Sequence, residues 1–384
     1  MKDILLRKIK TLGLCLMAAV LGVAGFAACG SSGTDNWAGY SMDSYYFDTI
    51  CRITIYGLDD SLLGEGLSEA EFGEKCSGII SDAFKELSAY EKLLSRTVEG
   101  SDVDRINRSA GETVEVDLRT AEVLKKGLEF GDVSGGAFDI TIGGVTNLWN
   151  FHALDEETAE AGMPDEAALA EALRHVDYKM IQVDLADHSV KLLDPGAVID
   201  LGGIAKGYIA DRISEFLKEE GVTDAIVNLG GNIEALGGKP GNHLKPRGEA
   251  GSEKDSTVRL GINDPRSAAG QLLETFDARD VTVVTSGTYE RFIEVDGVRY
   301  HHILDPKTGY PVDNGLTQVT IVAQSGHSVD CDGLSTVCLA LGADRGRTLI
   351  DELSEKGIYG PVWAIFVSSD GEVTEAGDRS TFAG

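Results

Sequence analysis

The chain has 384 residues, of which 42% are hydrophobic and 25% are charged, so it can fold into one or two globular domains with a sizeable core. Its 34 Lys and Arg residues stand against 63 Asp and Glu residues, which gives a formal net charge of -29. This charge argues against nucleic-acid binding and against electrostatic attachment to anionic lipid, since both need a basic surface. It also favours a bound cation at any phosphate site, because the protein's own charge repels phosphate.

Residues 1–28 are typical of a bacterial lipoprotein signal peptide. Basic residues come first, and the apolar run over residues 12–26 is too short and too rich in small residues for a stable membrane span. Ala27 and Ala28 stand directly before Cys29, which the pattern predicts to be the lipidated first residue of the mature chain. An ordinary signal peptide or an uncleaved helix is the alternative. Residues 29–44 are predicted to be a flexible tether, which places the protein at the extracytoplasmic face of the membrane through a lipid anchor.

Four of the 6 cysteines remain after the signal segment and Cys29 are set aside: Cys51, Cys76, Cys331 and Cys338. Four cysteines in so long a domain do not make a disulfide framework. In a helix, Cys331 and Cys338 would lie about 10 Å apart, too far to pair with each other. These two are therefore predicted to be buried thiols.

Hydrophobic periodicity predicts a mixture of helices and strands along the rest of the chain. The predicted helices cover residues 80–94, 121–130, 165–174 and 332–341, and the predicted strands cover residues 47–56 and 224–229. Hairpins are predicted over residues 180–193, 291–303 and 363–375, the last two around Asp-Gly turns. Residues 239–256 are polar and are predicted to be a surface loop. With no repeat and no obvious linker, the sequence predicts a single α+β domain over residues 45–384, with mixed β-sheets and packed helices behind the signal peptide.

The most informative stretch is a predicted strand–turn–helix joint at residues 198–211. An apolar run ends in Asp200, two glycines follow, and a helical pattern begins with Lys206 in its first turn. The glycines let the backbone turn sharply and let a ligand approach main-chain groups. The positive helix start and Lys206 predict a site for a phosphate-bearing ligand. The stretch matches neither the Rossmann nor the Walker pattern, and a plain joint with a solvated lysine is the alternative.

A second stretch, residues 330–336, places Asp332 and Thr336 one turn apart if a helix begins near Asp332. A carboxylate and a hydroxyl are hard oxygen ligands that suit Mg²⁺. Alternatively, Asp332 caps the helix and Thr336 bonds back to a backbone carbonyl. Zinc bound through His327, Cys331 and Cys338 is also conceivable, although that spacing matches no common site. An EF-hand is excluded because the later acidic positions are missing.

Two further stretches carry polar side chains on turns. Residues 301–311 leave a strand and enter a turn containing proline and glycine, where a histidine could act as a general base or orient a phosphate. A hydrogen-bonded turn histidine is the alternative. Residues 134–139 form a turn that delivers Phe138 and Asp139, or simply a turn followed by a strand.

Six stretches occur in a fixed order: GGAFDIT (135–141), DLGGIAKGY (200–208), NLGGN (228–232), TSG (285–287), HILDPKTG (302–309) and DGLST (332–336). In this combination the chain resembles the FAD:protein FMN transferase (ApbE-type) family, from about residue 45 to the C-terminus. The resemblance implies an exported or lipid-anchored enzyme that cleaves FAD, attaches FMN through its phosphate to a Thr or Ser hydroxyl of an acceptor protein, and releases AMP. A Mg-dependent FAD pyrophosphatase and a non-catalytic flavin-binding lipoprotein are the alternatives.

Carried over position by position, the resemblance implies Mg²⁺ bound by the backbone carbonyl of Gly203, the carboxylate of Asp332 and the hydroxyl of Thr336. It implies catalytic roles for Asp332 and for His302, the latter as a base or phosphate contact. The residues implied to contact FAD are Phe47, Thr97, Ala137, Phe138, Asp139, Asp200, Lys206 and His302. The family commonly has Met at the position of Phe47 and often an aromatic residue around Thr97, and the loop at 239–256 is longer than is usual.

Overall fold

The computed structural model describes residues 39–64, 67–149, 151, 162–240, 243–244, 256–267 and 271–382. The predicted signal peptide, Cys29 and most of the predicted loop at 239–256 lie outside these residues. Strand β1 (Tyr40–Tyr46) begins inside the predicted tether over residues 29–44, so regular structure starts before residue 45. It is ordered because it pairs along its whole length with the next strand.

The helices in the described residues are α1 (Asp60–Leu63), α2 (Glu69–Leu94), α3 (Asp102–Asn107), α4 (Leu118–Ser134), α5 (Gly143–Trp149), α6 (Glu166–Leu173), α7 (Ala205–Glu219), α8 (Ser328–Leu341) and α9 (Ala343–Lys356). The strands after β1 are β2 (Thr49–Leu58), β3 (Val114–Glu115), β4 (Ile181–Asp184), β5 (Ser189–Leu192), β6 (Val222–Leu229), β7 (Asn232–Leu236), β8 (Val258–Asn263), β9 (Leu272–Ala278), β10 (Val281–Gly287), β11 (Phe292–Val295), β12 (Val298–His301), β13 (Leu316–Gln324), β14 (Val362–Ser368) and β15 (Val373–Gly377).

An eight-stranded antiparallel sheet in the order β1-β2-β6-β7-β10-β13-β14-β15 forms the centre of the fold. Smaller sheets are β3-β5-β4, β8-β9 and β11-β12. Strands β13 and β14 are buried almost continuously rather than at alternate residues. That pattern requires a covering layer on each face of the sheet.

Helices cover one face of the large sheet, where α7 and α8 pack against each other and against the central strands. The main core cluster lies between these helices and the sheet. A second cluster lies with the β8-β9 hairpin, where Phe276 packs edge-on against Trp363 at 5.3 Å between ring centroids. A third cluster joins α5 and α6 to the β11-β12 hairpin around Trp149. This mixed architecture confirms the predicted α+β class.

Most of the predicted local elements are confirmed. The three predicted hairpins form, and Asp296 and Gly297 both have positive φ, as a type I′ turn requires. All four predicted helices form: three lie within longer helices, and the one predicted over residues 165–174 spans Glu166–Leu173. Cys331 and Cys338 are buried free thiols, as are Cys51 and Cys76. None of the helices in the described part of the chain combines the length and the hydropathy that a membrane crossing requires.

Two local predictions are wrong. The helix predicted from Asp332 begins at Ser328, so Asp332 lies in its second turn. The run at residues 198–200 is not a regular strand: Val198 makes one isolated bridge to Ile142. The side chain of Asn107 holds this run instead, because it bonds both the N–H and the C=O of Ile199, at 2.7 and 3.0 Å.

Candidate functional site

The site begins at the crossing of α7 and α8, which depends on Gly207. A Cβ at this position would lie 2.3 Å from the carbonyl oxygen of Ser328 and 2.7 Å from Cβ of Asp332. The missing side chain therefore lets the two helices approach closely. At the crossing, the Gly207 N–H donates a 2.8 Å hydrogen bond to Oδ2 of Asp332. Two motifs that are distant in sequence meet here.

Gly203 brings the glycine turn against α8 and against the turn at residues 134–139. A Cβ on Gly203 would lie 2.8 Å from Cε2 of Phe138 and 3.6 Å from Cγ2 of Thr336. Neither Gly202 nor Gly203 has positive φ, so the second glycine is needed for close approach rather than for a left-handed turn. The structure thus brings together the three predicted cation ligands, Gly203, Asp332 and Thr336.

The oxygen atoms at this point fit a hard divalent cation. Asp332 is 3% exposed, and its Oδ1 has no hydrogen-bond partner among the described residues. The hydroxyl of Thr336 lies 3.2 Å from that of Ser286, a residue of the TSG motif that the sequence left without a role. The described residues contain no cluster of three or more His, Cys, Asp or Glu side chains that could hold a metal. A cation here would need water and ligand oxygens besides the protein donors, as Mg²⁺ commonly does.

The structural alternatives for this stretch do not hold. Because α8 starts at Ser328, Asp332 cannot be its cap. The three proposed zinc ligands do not form a metal-binding cluster among the described residues. Nδ1 of His327 is instead 2.8 Å from Asp330, and Sγ of Cys338 donates to the carbonyl of Gly346.

Lys206 lies in the first turn of α7, as predicted. The helix has no side-chain cap at Ile204, so its positive end is not neutralised by its own chain. Lys206 is half-buried, and its Nζ makes no hydrogen bond or ion pair with any residue that the structure describes. These features suit an anionic ligand such as a phosphate.

Asp200 is held in place by an arginine that the sequence analysis missed. Its Oδ1 accepts a hydrogen bond from the Gly202 N–H, and its Oδ2 lies 3.2 Å from Nε of Arg96. Both side chains of the ion pair are less than one-fifth exposed, at 17% and 18%. No direct signal in the sequence marks Arg96: its neighbour Thr97 stands where the family often has an aromatic residue. Thr97 itself is exposed, and its predicted contact with FAD stays a prediction.

The turn at residues 134–139 presents Phe138 and uses Asp139 internally. Phe138 packs edge-on against Phe130 at 6.0 Å, and half-buried Ala137 precedes it. The two carboxyl oxygens of Asp139 accept hydrogen bonds from Thr141 and from the Tyr178 N–H. Burial raises the pKa of Asp139 despite these bonds. Asp139 therefore shapes the turn, and its direct contact with FAD stays a prediction.

His302 is neutral and keeps one ring nitrogen free. Its Nδ1 lies 3.1 Å from the carbonyl of Arg291, so Nδ1 carries the hydrogen and Nε2 keeps its lone pair. Although the ring is only half-buried by surface area, loss of hydration lowers the pKa of His302 to about 4. The charges of Arg291 and Lys206 act in the same direction.

Phe47 lies in the tight β1-β2 turn, where it and Asp48 both have positive φ, at 54° and 56°. Such a backbone is costly for residues other than glycine. Glu91 on α2 supports it by accepting a 2.8 Å hydrogen bond from the Phe47 N–H. Burial raises the pKa of nearby Cys51 to about 11, and the charges of both Glu91 and Lys206 reach that thiol. Phe47 packs against the main core cluster, which also contains Ile204 at the start of α7.

Together, the fold and these contacts define an α+β protein in which a half-buried lysine at the start of α7 and a buried carboxylate on α8 lie at one helix crossing. A family model described as the ApbE family matches residues 47–358. The FAD:protein FMN transferase of Treponema pallidum (strain Nichols) is 34% identical over 357 residues, which cover 91% of this chain and 90% of that protein. The FAD:protein FMN transferase of Klebsiella pneumoniae (strain 342) is 33% identical over 298 residues, or 77% and 84% of the two chains.

A solved structure shows the same fold. The ApbE protein of Thermotoga maritima matches with a TM-score of 0.71 at 28% identity, covering 88% of this chain and 97% of that one. The chain therefore belongs to the ApbE family.

Proposed function

We propose that this protein is a Mg-dependent FAD:protein FMN transferase, which attaches FMN through its phosphate to a Thr or Ser hydroxyl of an acceptor protein and releases AMP. Its relatives from T. pallidum and K. pneumoniae carry the transferase name. The observation that carries the proposal is the meeting of Gly203 with Thr336, and of Gly207 with Asp332, beside the unpaired Lys206.

The reaction exchanges one phosphorus–oxygen bond for another. The acceptor hydroxyl oxygen bonds to the phosphorus of the FMN half, and the bond from that phosphorus to AMP breaks. Negative charge on the phosphate oxygens is stabilised by Lys206 and by the uncapped start of α7. Mg²⁺ held by Gly203, Asp332 and Thr336 would supply further charge neutralisation on the diphosphate.

The proton of the acceptor hydroxyl needs a destination, and His302 offers one. Its Nε2 lone pair is free because Nδ1 donates to the carbonyl of Arg291. A neutral imidazole in this position accepts the proton as the new bond forms. Once protonated, Nε2 can donate a hydrogen bond that orients a phosphate oxygen.

Some of the other residues predicted to contact FAD lie close to this centre. Phe138 packs against Gly203 with Ala137 next to it in the chain, and Asp200 lies at the glycine turn with its partner Arg96. Phe47 lies on the β1-β2 turn and packs against the core cluster that contains Ile204 at the start of α7. We assign flavin recognition to these groups and phosphate chemistry to the α7–α8 crossing.

The test is intact-mass analysis of an acceptor domain after incubation with this protein, FAD and Mg²⁺. The acceptor should gain the mass of one FMN less one water molecule, and Asp332→Ala should abolish this gain. Asp82→Ala, which removes an exposed carboxylate on α2, is the matched control and should transfer normally. Rapid conversion of FAD to FMN and AMP without acceptor would identify a pyrophosphatase instead. FAD binding without any chemistry, unaltered in Asp332→Ala, would identify a carrier.

We also infer that the chain is exported and anchored through lipid on Cys29. The support is the sequence alone: a basic start, an apolar run and small residues directly before the cysteine. Cys29→Ala should release the protein from the membrane fraction without changing transfer activity in detergent. Equal membrane association of the two forms would refute the anchor.

A further inference from the structure

Residues 325–329, the turn after β13 together with the first two residues of α8, are held by side chains from other parts of the fold. His327, the residue before α8, makes no side-chain cap. Instead, the carboxylate of Asp211 on α7 accepts hydrogen bonds from the N–H groups of Ser328 and Val329, at 2.8 and 2.9 Å. Asp211 is 3% exposed. A carboxylate at this position both satisfies free N–H groups and stabilises the positive end of the helix.

Glu234 on β7 holds the preceding half of the same turn. Its Oε1 accepts hydrogen bonds from Oγ of Ser325 at 2.5 Å and from the N–H of Gly326 at 2.8 Å. The side chain is fully buried, and its Oε2 has no partner among the described residues. Burying a carboxylate anion with one oxygen unbonded is energetically unfavourable, so the presence of Glu234 at this position requires a structural or functional explanation.

The two carboxyl groups interact with each other. Burial raises the pKa of Glu234 to about 8, and the negative charge of Asp211 acts in the same direction. Burial likewise raises the pKa of Asp211 to about 6, with Asp330 adding to the effect and Arg212 opposing it. Burial and the charge of Asp211 therefore both favour the protonated form of Glu234.

This arrangement fixes α8 relative to α7 at two levels. One turn before Asp211, Gly207 donates to Asp332 and packs against the Ser328 carbonyl. Asp211 then fixes the start of α8. The cation ligands Asp332 and Thr336 lie one and two turns further along α8, so a small slide of the helix start moves them both.

We propose that Asp211 and Glu234 are positioning residues for the cation site: by holding residues 325–329, they set the position of α8 along α7 and place Asp332 and Thr336 beside Gly203. The assignment of the site to Mg²⁺ rests on the proposed function, but the positioning itself is measured as cation binding. Neither Asp211 nor Glu234 is one of the proposed cation ligands.

The experiment titrates the full-length protein with Mn²⁺ in the presence of FAD, and free Mn²⁺ is measured by electron paramagnetic resonance. Loss of groups that orient metal ligands typically costs about 10- to 100-fold in metal affinity, and we expect this loss in Asp211→Ala and Glu234→Ala. Glu234→Gln keeps an oxygen that accepts from Ser325 and Gly326, so it should bind within about twofold of the natural protein, a factor worth less than 0.5 kcal/mol. Asp211→Asn serves if Asp211→Ala does not fold: each carboxylate oxygen of Asp211 accepts one of the two bonds, so Asn keeps only one of them and should still lower Mn²⁺ affinity.

Asp102→Ala is the matched control. Asp102 is a buried carboxylate that accepts 2.8 Å bonds from a backbone N–H, that of Asp117, and from a hydroxyl, that of Thr120. It holds the start of α4 and not of α8, so its loss should lower the unfolding temperature without weakening Mn²⁺ binding. Folded Asp211 and Glu234 variants with unchanged Mn²⁺ affinity would overturn the proposal. A natural protein that binds Mn²⁺ through Asp332 yet transfers no FMN would overturn the proposed function alone.

Discussion

Replacing Gly207 with alanine should separate catalysis from stability. The new Cβ would stand 2.3 Å from the Ser328 carbonyl oxygen, a backbone atom that cannot rotate away. To reach ordinary contact distance, α7 and α8 must separate by about 1 Å, and overpacking of this kind typically costs about 1–3 kcal/mol. Alanine returns about 1 kcal/mol through its higher helix propensity. The net loss of unfolding free energy should therefore be no more than about 2 kcal/mol.

The effect on transfer should be much larger. Separation of the helices breaks the 2.8 Å bond from the Gly207 N–H to Asp332 and moves Asp332 and Thr336 away from Gly203. A misplacement of about 1 Å can cost roughly 100-fold in rate. Transfer is followed by the mass of the acceptor, and stability by urea denaturation. Gly78→Ala is the control: Gly78 lies in the middle of α2 with nothing within 4 Å of a new Cβ, so it should gain stability and keep full activity. A folded Gly207→Ala protein that transfers FMN within twofold of the natural rate would refute this account of the site.

Three further predictions concern charge. Asp332→Asn keeps an oxygen for the Gly207 N–H but removes the negative charge, so the protein should stay folded and lose the Mg²⁺ dependence of its residual transfer rate, measured over a Mg²⁺ titration. In a profile of kcat/KM against pH, activity should fall on the acidic side near pH 4, because His302 loses its free lone pair only below its pKa of about 4. His302→Gln should remove this acidic fall. An acidic fall near pH 6.5 that His302→Gln removes would contradict the prediction. Glu234 takes up a proton on folding, so the unfolding free energy should fall as pH rises from about 4.5 to about 8. At about 1.4 kcal/mol per pKa unit the upper limit of this fall is roughly 5 kcal/mol, and Glu234→Gln should flatten the curve in urea titrations at several pH values.

Elements with local signals were predictable from the sequence. The Asp296-Gly297 pair specifies a type I′ turn by itself, because both residues tolerate positive φ, and the hairpin forms where predicted. The comparable turn at Phe47 and Asp48 has the same backbone without such a signal. It exists because Glu91, from a helix, binds the Phe47 N–H. Its geometry therefore could not be read from residues 47–48 alone.

Long-range contacts explain the errors. Helix α8 begins at Ser328 rather than near Asp332 because its cap, Asp211, belongs to α7. The run at residues 198–200 is apolar like a strand, but the amide side chain of Asn107 occupies the backbone groups that a neighbouring strand would otherwise bond. A helix cap or a backbone partner that comes from a distant segment cannot be recognised within the short stretch of sequence over which hydrophobic periodicity is evaluated.

The same reasoning explains why the chemistry-bearing residues were found while their supports were missed. Asp332, Thr336 and Lys206 carry groups whose chemistry points to a cation and a phosphate, and the family resemblance added to that. Gly207 carries no functional group and has no positive φ, so neither chemistry nor turn preference marks it. Its importance lies in the space that it leaves for Ser328 and Asp332, which exists only once two helices cross. The arrangement of this site thus depends on residues that are visible only in three dimensions, and Gly207 and Asp211 should tolerate substitution less well than their side chains suggest.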